Sequence, residues 1–343
     1  TTLHNTGSGT ETNAWTITVS SDDAANEVTA AELNTLDSAT SVAVNVNAIT
    51  ELKASDLTDL STFHTNRANF SNTGNIATIN LTDNGGAGTS VDYSTLETIV
   101  DNYRAAGAAG INTNAVFKFT AGDAITIDDT DEVTAYLADI TSGALALTDQ
   151  TVTVNSGVGL SVANARSIAD DTTGAVTATI ASSRVSDLTT LHNTGSGTET
   201  NAWTITLHSD DATRATAAQL NTIDSATSVA ITSTAITALA ASDMDDLSTL
   251  NGNAGNFSTL NNITAITLTE NGGSGTSVDY STLETLIDNY YARNNAVAFT
   301  PDSGDTIVID DADEVTAYVA DITNGRLLLS DQAVTVNSGV DLS

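Results

Sequence analysis

The first eighteen residues, TTLHNTGSGTETNAWTIT, return unchanged at positions 189–206. The copy extends well beyond them. TAAELNTLDSATSVAV (29–44) reappears as TAAQLNTIDSATSVAI (216–231), and NGGAGTSVDYSTLETIVDNY (84–103) as NGGSGTSVDYSTLETLIDNY (271–290). DEVTAYLADIT (131–141) becomes DEVTAYVADIT (313–323), and VTVNSGV (152–158) recurs at 334–340. Residues 1–188 therefore form one long unit and residues 189–343 a second, incomplete copy that lacks a counterpart of 162–188. The pattern reads as a piece of a longer tandem array. Such a repeat constrains the fold more than any single motif, because each unit has to pack beside others built like itself.

A finer period lies inside the long one. Runs with the two-residue alternation of strands occur at WTITV (15–19), SVAVNV (41–46), IATINL (76–81), VFKFT with AITID (116–128), ALALT (144–148), TVTV (151–154) and AVTATI (175–180). Helical runs separate them. Thr29-Ala-Ala-Glu32 and Ser94-Thr-Leu-Glu97 fit the capping box, as do Thr216-Ala-Ala-Gln219 and Ser281-Thr-Leu-Glu284 in the second copy. Ser55 and Ser242 stand where plain N-caps are expected, each followed by an Asp that favours the positive end of the helix dipole. Leu33 and Leu36 in one helix, and Leu96, Ile99, Val100 and Tyr103 in another, share a face at helical spacing.

Strand–helix units thus recur about every 31 residues. A unit that small cannot bury its own apolar face, whereas stacked units share one core. The expected fold class is α/β: a repeat solenoid of short strand–helix coils, with a parallel sheet stacked along the axis to a length of roughly 55 Å at the usual strand spacing. The alternative is a doubly wound α/β globule for each long unit.

Composition narrows the partners. The 343 residues carry 43 acidic and 9 basic side chains, a net charge of -34, which disfavours nucleic acid and anionic membrane. No apolar run is long enough for membrane insertion as a helix. The absence of cysteine excludes disulfides and thiolate chemistry. One proline and 40% hydrophobic residues speak for a packed core built of small side chains rather than a disordered acidic tail.

The phrases TAAELNTLDSATS, TAAQLNTIDSATS and ITALAASDMDDLSTL resemble the Thr/Ala/Asp-rich tandem repeats of giant secreted or cell-surface proteins of aquatic bacteria, marine cyanobacteria among them. The resemblance implies an extracellular or cell-surface location and an extended scaffold, adhesin stalk or filament. It implies no catalytic residues.

Candidate sites are few. IDDTDE supplies Asp128, Asp129, Asp131 and Glu132, and IDDADE supplies Asp310, Asp311, Asp313 and Glu314. Each cluster follows a strand and precedes a helix. Turns dense in carboxylates and carbonyls suit Ca²⁺, which takes six to eight oxygens, so a structural Ca²⁺ is one expectation. The competing expectation is that these residues cap the next helix. GGAGTSVD (85–92) and GGSGTSVD (272–279) resemble a calcium-binding nonapeptide of secreted β-rolls, but Ser90 and Ser277 stand where its ligand Asp belongs. They read as glycine turns in which Asp92 and Asp279 cap the following helix. The pairs Thr16/Thr18, Thr177/Thr179 and Thr204/Thr206 resemble ice-binding ladders, yet their uneven spacing reads as exposed β-branched residues. Trp15 and Trp203 are expected to fill the core at the start of a strand.

The histidines (4, 64, 192 and 208) form no metalloprotease motif, and neither a nucleophile elbow nor a phosphate loop is present. The expectation is therefore a non-enzymatic structural repeat protein, a stiff acidic rod or filament that self-associates or continues into neighbouring repeats. It would serve as a matrix fibre, surface stalk or adhesin. The alternatives are a calcium-dependent module that binds glycans or neighbouring cells, and a carbohydrate-active enzyme working through paired carboxylates.

Overall fold

A computed structural model describes residues 13–20, 28–82, 90–107, 110–192, 201–269 and 277–340. The chain is organised as two compact units. One holds the described residues up to 158 together with 167–178; the other holds 159–166, 179–192 and the described residues from 201 onward.

The chain begins with α1 (Ala30–Ser38), β1 (Val44–Asn45), β2 (Glu51–Ser55), α2 (Leu57–Thr65), β3 (Phe70–Ser71), β4 (Thr78–Leu81), β5 (Ser90–Asp92) and α3 (Tyr93–Arg104). It continues through β6 (Val116–Lys118), β7 (Ala124–Ile127), α4 (Thr130–Thr141), β8 (Leu145–Ala146) and β9 (Thr151–Val154). Next come β10 (Gly159–Leu160), α5 (Val162–Asp171), β11 (Val176–Ile180), α6 (Val185–Leu188) and β12 (Ala202–Thr204). The later elements are α7 (Ala217–Ser225), β13 (Ala238–Ser242), α8 (Met244–Gly252), β14 (Ala265–Leu268), β15 (Ser277–Asp279) and α9 (Tyr280–Arg293). Last are β16 (Ala298–Thr300), β17 (Thr306–Ile309), α10 (Ala312–Thr323) and β18 (Ala333–Val336).

The class is α/β, and every named strand pairing whose register is resolved is parallel. The expected single stacked sheet is not what forms. Among the described residues the strands lie in five separate sheets of two to six strands. The division has a local cause. Between β6 and β7 the chain turns sharply: the Thr120 amide donates to the Asp123 carboxylate at 3.1 Å, and Gly122 sits at φ +83°. The turn splits what reads as one extended run into two strands that join different ladders, β2–β4–β6–β8 and β5–β7–β9. The second copy repeats this, with the Asp302 amide donating to Asp305 and Gly304 at φ +80°, between the ladders β13–β14–β16 and β15–β17–β18.

The ladders build the core. Leu52, Ile79, Phe117 and Leu145 occupy one register row, and Val91, Ile125, Val152 and Val176 another; all are buried. Burial of a side chain of this size contributes about 1.5–3 kcal/mol. On the helical side Leu33, Leu96, Ile99, Val100 and Tyr103 are buried as their spacing predicts, while Leu36 is half-buried. The Tyr103 hydroxyl donates to the Leu60 carbonyl at 3.0 Å, and Tyr290 repeats this with Leu247.

Helix starts match expectation in part. Thr29 with Glu32 and Thr216 with Gln219 form complete capping boxes. Ser94 and Ser281 do not. Helices α3 and α9 begin two residues earlier and are capped by Asp92 and Asp279, whose carboxylates also accept the hydroxyls of Ser94 and Ser281. A carboxylate accepts a backbone N–H more strongly than a hydroxyl does, so the earlier residue takes the cap. Ser55 and Ser242 are displaced for the same reason by Asp56 and Asp243. Their buried hydroxyls accept the amides of Ala30 and Ala217 instead, at 2.8 and 2.9 Å, reaching the start of the preceding helix.

WTITV (15–19) forms only an isolated bridge, Thr18 to Asn45, and Trp15 is 47% exposed where a core position was expected. Trp203 is fully buried, and its indole donates to the His192 carbonyl at 3.4 Å. The strand carrying Trp203 pairs with β11, whereas no described strand precedes Trp15. The glycines of GGAGT and GGSGT (85–89 and 272–276) and His4 lie outside the described residues.

Candidate functional site

The two acidic clusters start helices α4 and α10. Asp129 is the N-cap of α4 and accepts the Glu132 amide at 2.9 Å. Glu132 folds back so that its carboxylate accepts the Asp128 amide at 2.6 Å, and Asp128 accepts the side-chain amide of Asn155 at 2.5 Å. The second copy reproduces the arrangement. Asp311 accepts the Glu314 amide at 2.9 Å, Glu314 the Asp310 amide at 2.6 Å, and Asp310 the Asn337 side chain. Asp131 and Asp313 lie in the first turn, where the helix dipole favours negative charge. Three of the four carboxylates in each cluster thus satisfy backbone or amide donors. Among the described residues no three His, Asp or Glu side chains converge as a metal site requires.

A second constellation was not picked out from sequence. The Tyr93 hydroxyl, at the start of α3, donates to the Asp139 carboxylate near the end of α4 at 2.6 Å, and the Tyr93 and Tyr136 rings meet edge to face at 5.3 Å. In the second copy Tyr280 donates to Asp321 at 2.7 Å, and its ring meets Tyr318 at 5.4 Å. Burial pushes both carboxyls above the ordinary range, although the tyrosine hydroxyls pull the other way. Glu97 and Glu284 are raised as well, first by burial and then by neighbouring carboxylates, Asp101 and Asp139 for one, Asp288 and Asp321 for the other.

The positive partner of this clasp changes place between the copies. Arg104 at the end of α3 offsets part of the rise that burial imposes on the Asp139 carboxyl. Its counterpart is Tyr291, and the charge reappears at Arg326, where the first copy has Ala144. Arg326 stands 3.5 Å from Asp321 and 3.3 Å from Asp288, and its guanidinium lies 3.7 Å over the Tyr291 ring. The exchange of two positions together is the signal that comparison of the copies holds. In each copy an arginine offsets part of the rise that burial imposes on the carboxyl, Arg104 for Asp139 and Arg326 for Asp321, and an uncompensated buried charge is costly.

These groups are chemically suited to holding helices together. A perturbed carboxyl can also serve as an acid or base, but that requires a cleft. A groove of about 740 Å³ lies elsewhere in the first unit, with Thr58, Ser61, Thr62, Asp92, Thr95 and Thr98 among its lining residues. Its wall does not include Asp139 or Glu97.

The remaining polar side chains tie segments about 25–30 residues apart. Asn34 donates to the Asp59 carbonyl, and Asn221 repeats this with Asp246. Gln150 donates to the Thr120 carbonyl and accepts the Thr148 amide, and Gln332 does the same with Pro301 and Ser330. The four asparagines in glycosylation-type sequons, Asn69, Asn80, Asn256 and Asn262, spend their side-chain amides in such ties. Each tie joins residues that sequence separates and the parallel ladder aligns. Comparison of the chain with protein-family models, with curated proteins and with solved structures finds no match in any of the three.

Proposed function

We propose that the chain is a non-catalytic structural repeat protein, an extracellular α/β solenoid segment that provides length, stiffness and an acidic hydrated surface to a stalk, matrix fibre or filament. One observation carries the reading. In both copies a ladder of successive strands pairs in parallel, β2–β4–β6 in the first and β13–β14–β16 in the second, and the same side-chain ties recur at the same spacing. Duplicating such a unit adds length and repeats no reactive centre. The excess of 34 negative charges fits a surface that stays hydrated and repels its neighbours except at the ends.

Small-angle scattering of the monomeric chain, with Ca²⁺ and with chelator, tests the proposal. The expected particle is elongated, with a maximum dimension well beyond that of a 343-residue globule, in both conditions. A globular profile would overturn the scaffold reading. Elongation that depends on Ca²⁺ would move the protein to the calcium-dependent adhesion module.

A further inference from the structure

Two sheets with the same core present unlike outer faces. Leu52, Ile79 and Phe117 return as Leu239, Ile266 and Phe299, and all six are buried. The side chains that alternate with them point the other way, and there the copies part. Glu51, Thr78 and Val116 form one outward row of β2–β4–β6, where β13–β14–β16 has Ala238, Ala265 and Ala298. The next outward residues are Lys53, Asn80 and Lys118, against Ala240, Thr267 and Thr300 in the second copy.

Lys53 and Lys118 are the only lysines of the chain. Both are exposed, on the strands either side of β4, so their Cα atoms stand two strand spacings, about 10 Å, apart. Among the described residues neither ammonium has an ion pair or a hydrogen bond, in a chain with 43 acidic side chains. Arg184 and Arg326, by contrast, are each paired with aspartate. The flexible four-carbon stems let both ammoniums swing over Asn80 and meet on a single oxyanion. Asn80 is fixed between them. Its side-chain amide donates to Glu51 at 2.6 Å and to the Leu52 carbonyl at 2.9 Å, which leaves its own side-chain oxygen as an acceptor.

Charge selects the ligand. A net charge of -34 repels anything densely anionic, so nucleic acid, anionic lipid surfaces and polymers with closely spaced sulfates are disfavoured. A single carboxylate on a neutral carrier meets the two cations without that penalty. The carrier has to be polar as well. Thr78, Asn80 and Glu51 offer hydroxyl, amide and carboxylate groups, and the outward side chains of these strands include no aromatic ring on which an apolar body could rest.

We infer that this face is a binding site for an acidic sugar, a uronic-acid residue whose carboxylate lies between Lys53 and Lys118 and whose hydroxyls bond to Asn80 and Glu51. The site goes beyond the scaffold reading, since the first copy recognises a ligand that the second, with alanine and threonine in these places, does not.

The test is an NMR titration of the 343-residue chain with D-glucuronate in the presence of a calcium chelator, with D-glucose and acetate as parallel probes. The ε-methylene signals of the two lysines report the site directly. Both are expected to shift saturably with glucuronate. Glucose and acetate should each bind at least about tenfold more weakly, because each keeps only part of the contacts. Lys53→Ala and Lys118→Ala should each weaken the response of the remaining lysine by about tenfold. In the reciprocal variant, Ala238→Glu, Ala240→Lys, Thr267→Asn and Thr300→Lys together, the two new lysines should shift as the native pair does. Native lysine signals that stay still, or that move equally with acetate, would overturn the inference. So would shifts that follow protein concentration without added sugar, since the occupant would then be a second copy of the chain.

Discussion

Helices α4 and α10 differ at two of their twelve residues, Thr130 against Ala312 and Leu137 against Val319, and start with the same acidic cap. Their surroundings are nonetheless unlike. Val133 and Tyr136 are buried in the first, whereas Val315 and Tyr318 are only half-buried in the second. Among the described strands β9 has a partner on both edges and β18 on one. Nearly identical sequence thus gives the same local structure and a different degree of burial. In the first region the segment 167–178 packs on β9, with Val176 and Thr177 paired to Val152 and Thr153. In a parallel ladder a strand's stability is supplied by its neighbours on both sides.

The most severe way to break this comparison is to place a charge in each of the two equivalent valines. Val152→Asp should cost about 3–5 kcal/mol in urea unfolding, because the carboxylate would be buried without a partner between Ile125 and Val176. Val334→Asp should change stability by less than about 0.5 kcal/mol. Equal losses would show that the two strands are equally covered. Cap removal is the next test. Asp129→Ala should cost about 1 kcal/mol, as N-cap losses usually do, and more than Asp311→Ala, because Glu132 is buried where Glu314 is half-exposed. Chemical denaturation of the two variants measures the difference.

The exchanged arginine sharpens the comparison. Arg104→Tyr alone should raise the Asp139 carboxyl further and destabilise the first unit by about 1 kcal/mol. Adding Ala144→Arg should restore most of both, since this pair recreates the second copy's arrangement. Carboxyl titration followed by NMR reads the pKa directly, and no recovery in the double variant would refute the equivalence. The smallest expected effect is on pH. Burial raises Asp139, Asp171, Asp321, Glu97 and Glu284 above their unfolded values, so the folded chain holds their protons more tightly than the unfolded chain. Stability should therefore rise as pH falls from neutrality through these raised values. Asp92 and Asp279, lowered by the hydroxyls and amides they accept, act in the opposite sense once pH falls below about 4. Thermal melts between these limits check the direction, and a steady loss of stability from pH 7 downward would contradict it.

Much of the local structure was legible in the residues. TVTV matched β9, the Thr29 and Thr216 boxes formed as written, and the stripe Leu96–Ile99–Val100–Tyr103 is buried. Each of these rests on neighbours within a few positions. The misreadings have physical causes as well. Glu51–Ser55 was not seen as a strand because ELKAS lacks β-branched residues, and it is held in place by pairing with β4. Ser94 lost its cap to Asp92, and the Tyr93–Asp139 clasp joins residues 46 apart, beyond the reach of any local pattern.

The order of residues alone determined the repeat, the α/β class and the Thr29 and Thr216 capping boxes, because hydrogen bonds within a few residues and the period of apolar side chains decide these. Tertiary structure decided which copy of each shared residue is shielded: Trp203 and not Trp15, Val152 and not Val334. It also decided which arginine compensates which aspartate. Burial and charge compensation depend on what the adjacent strands and helices place alongside, and a strand cannot encode its neighbour's presence.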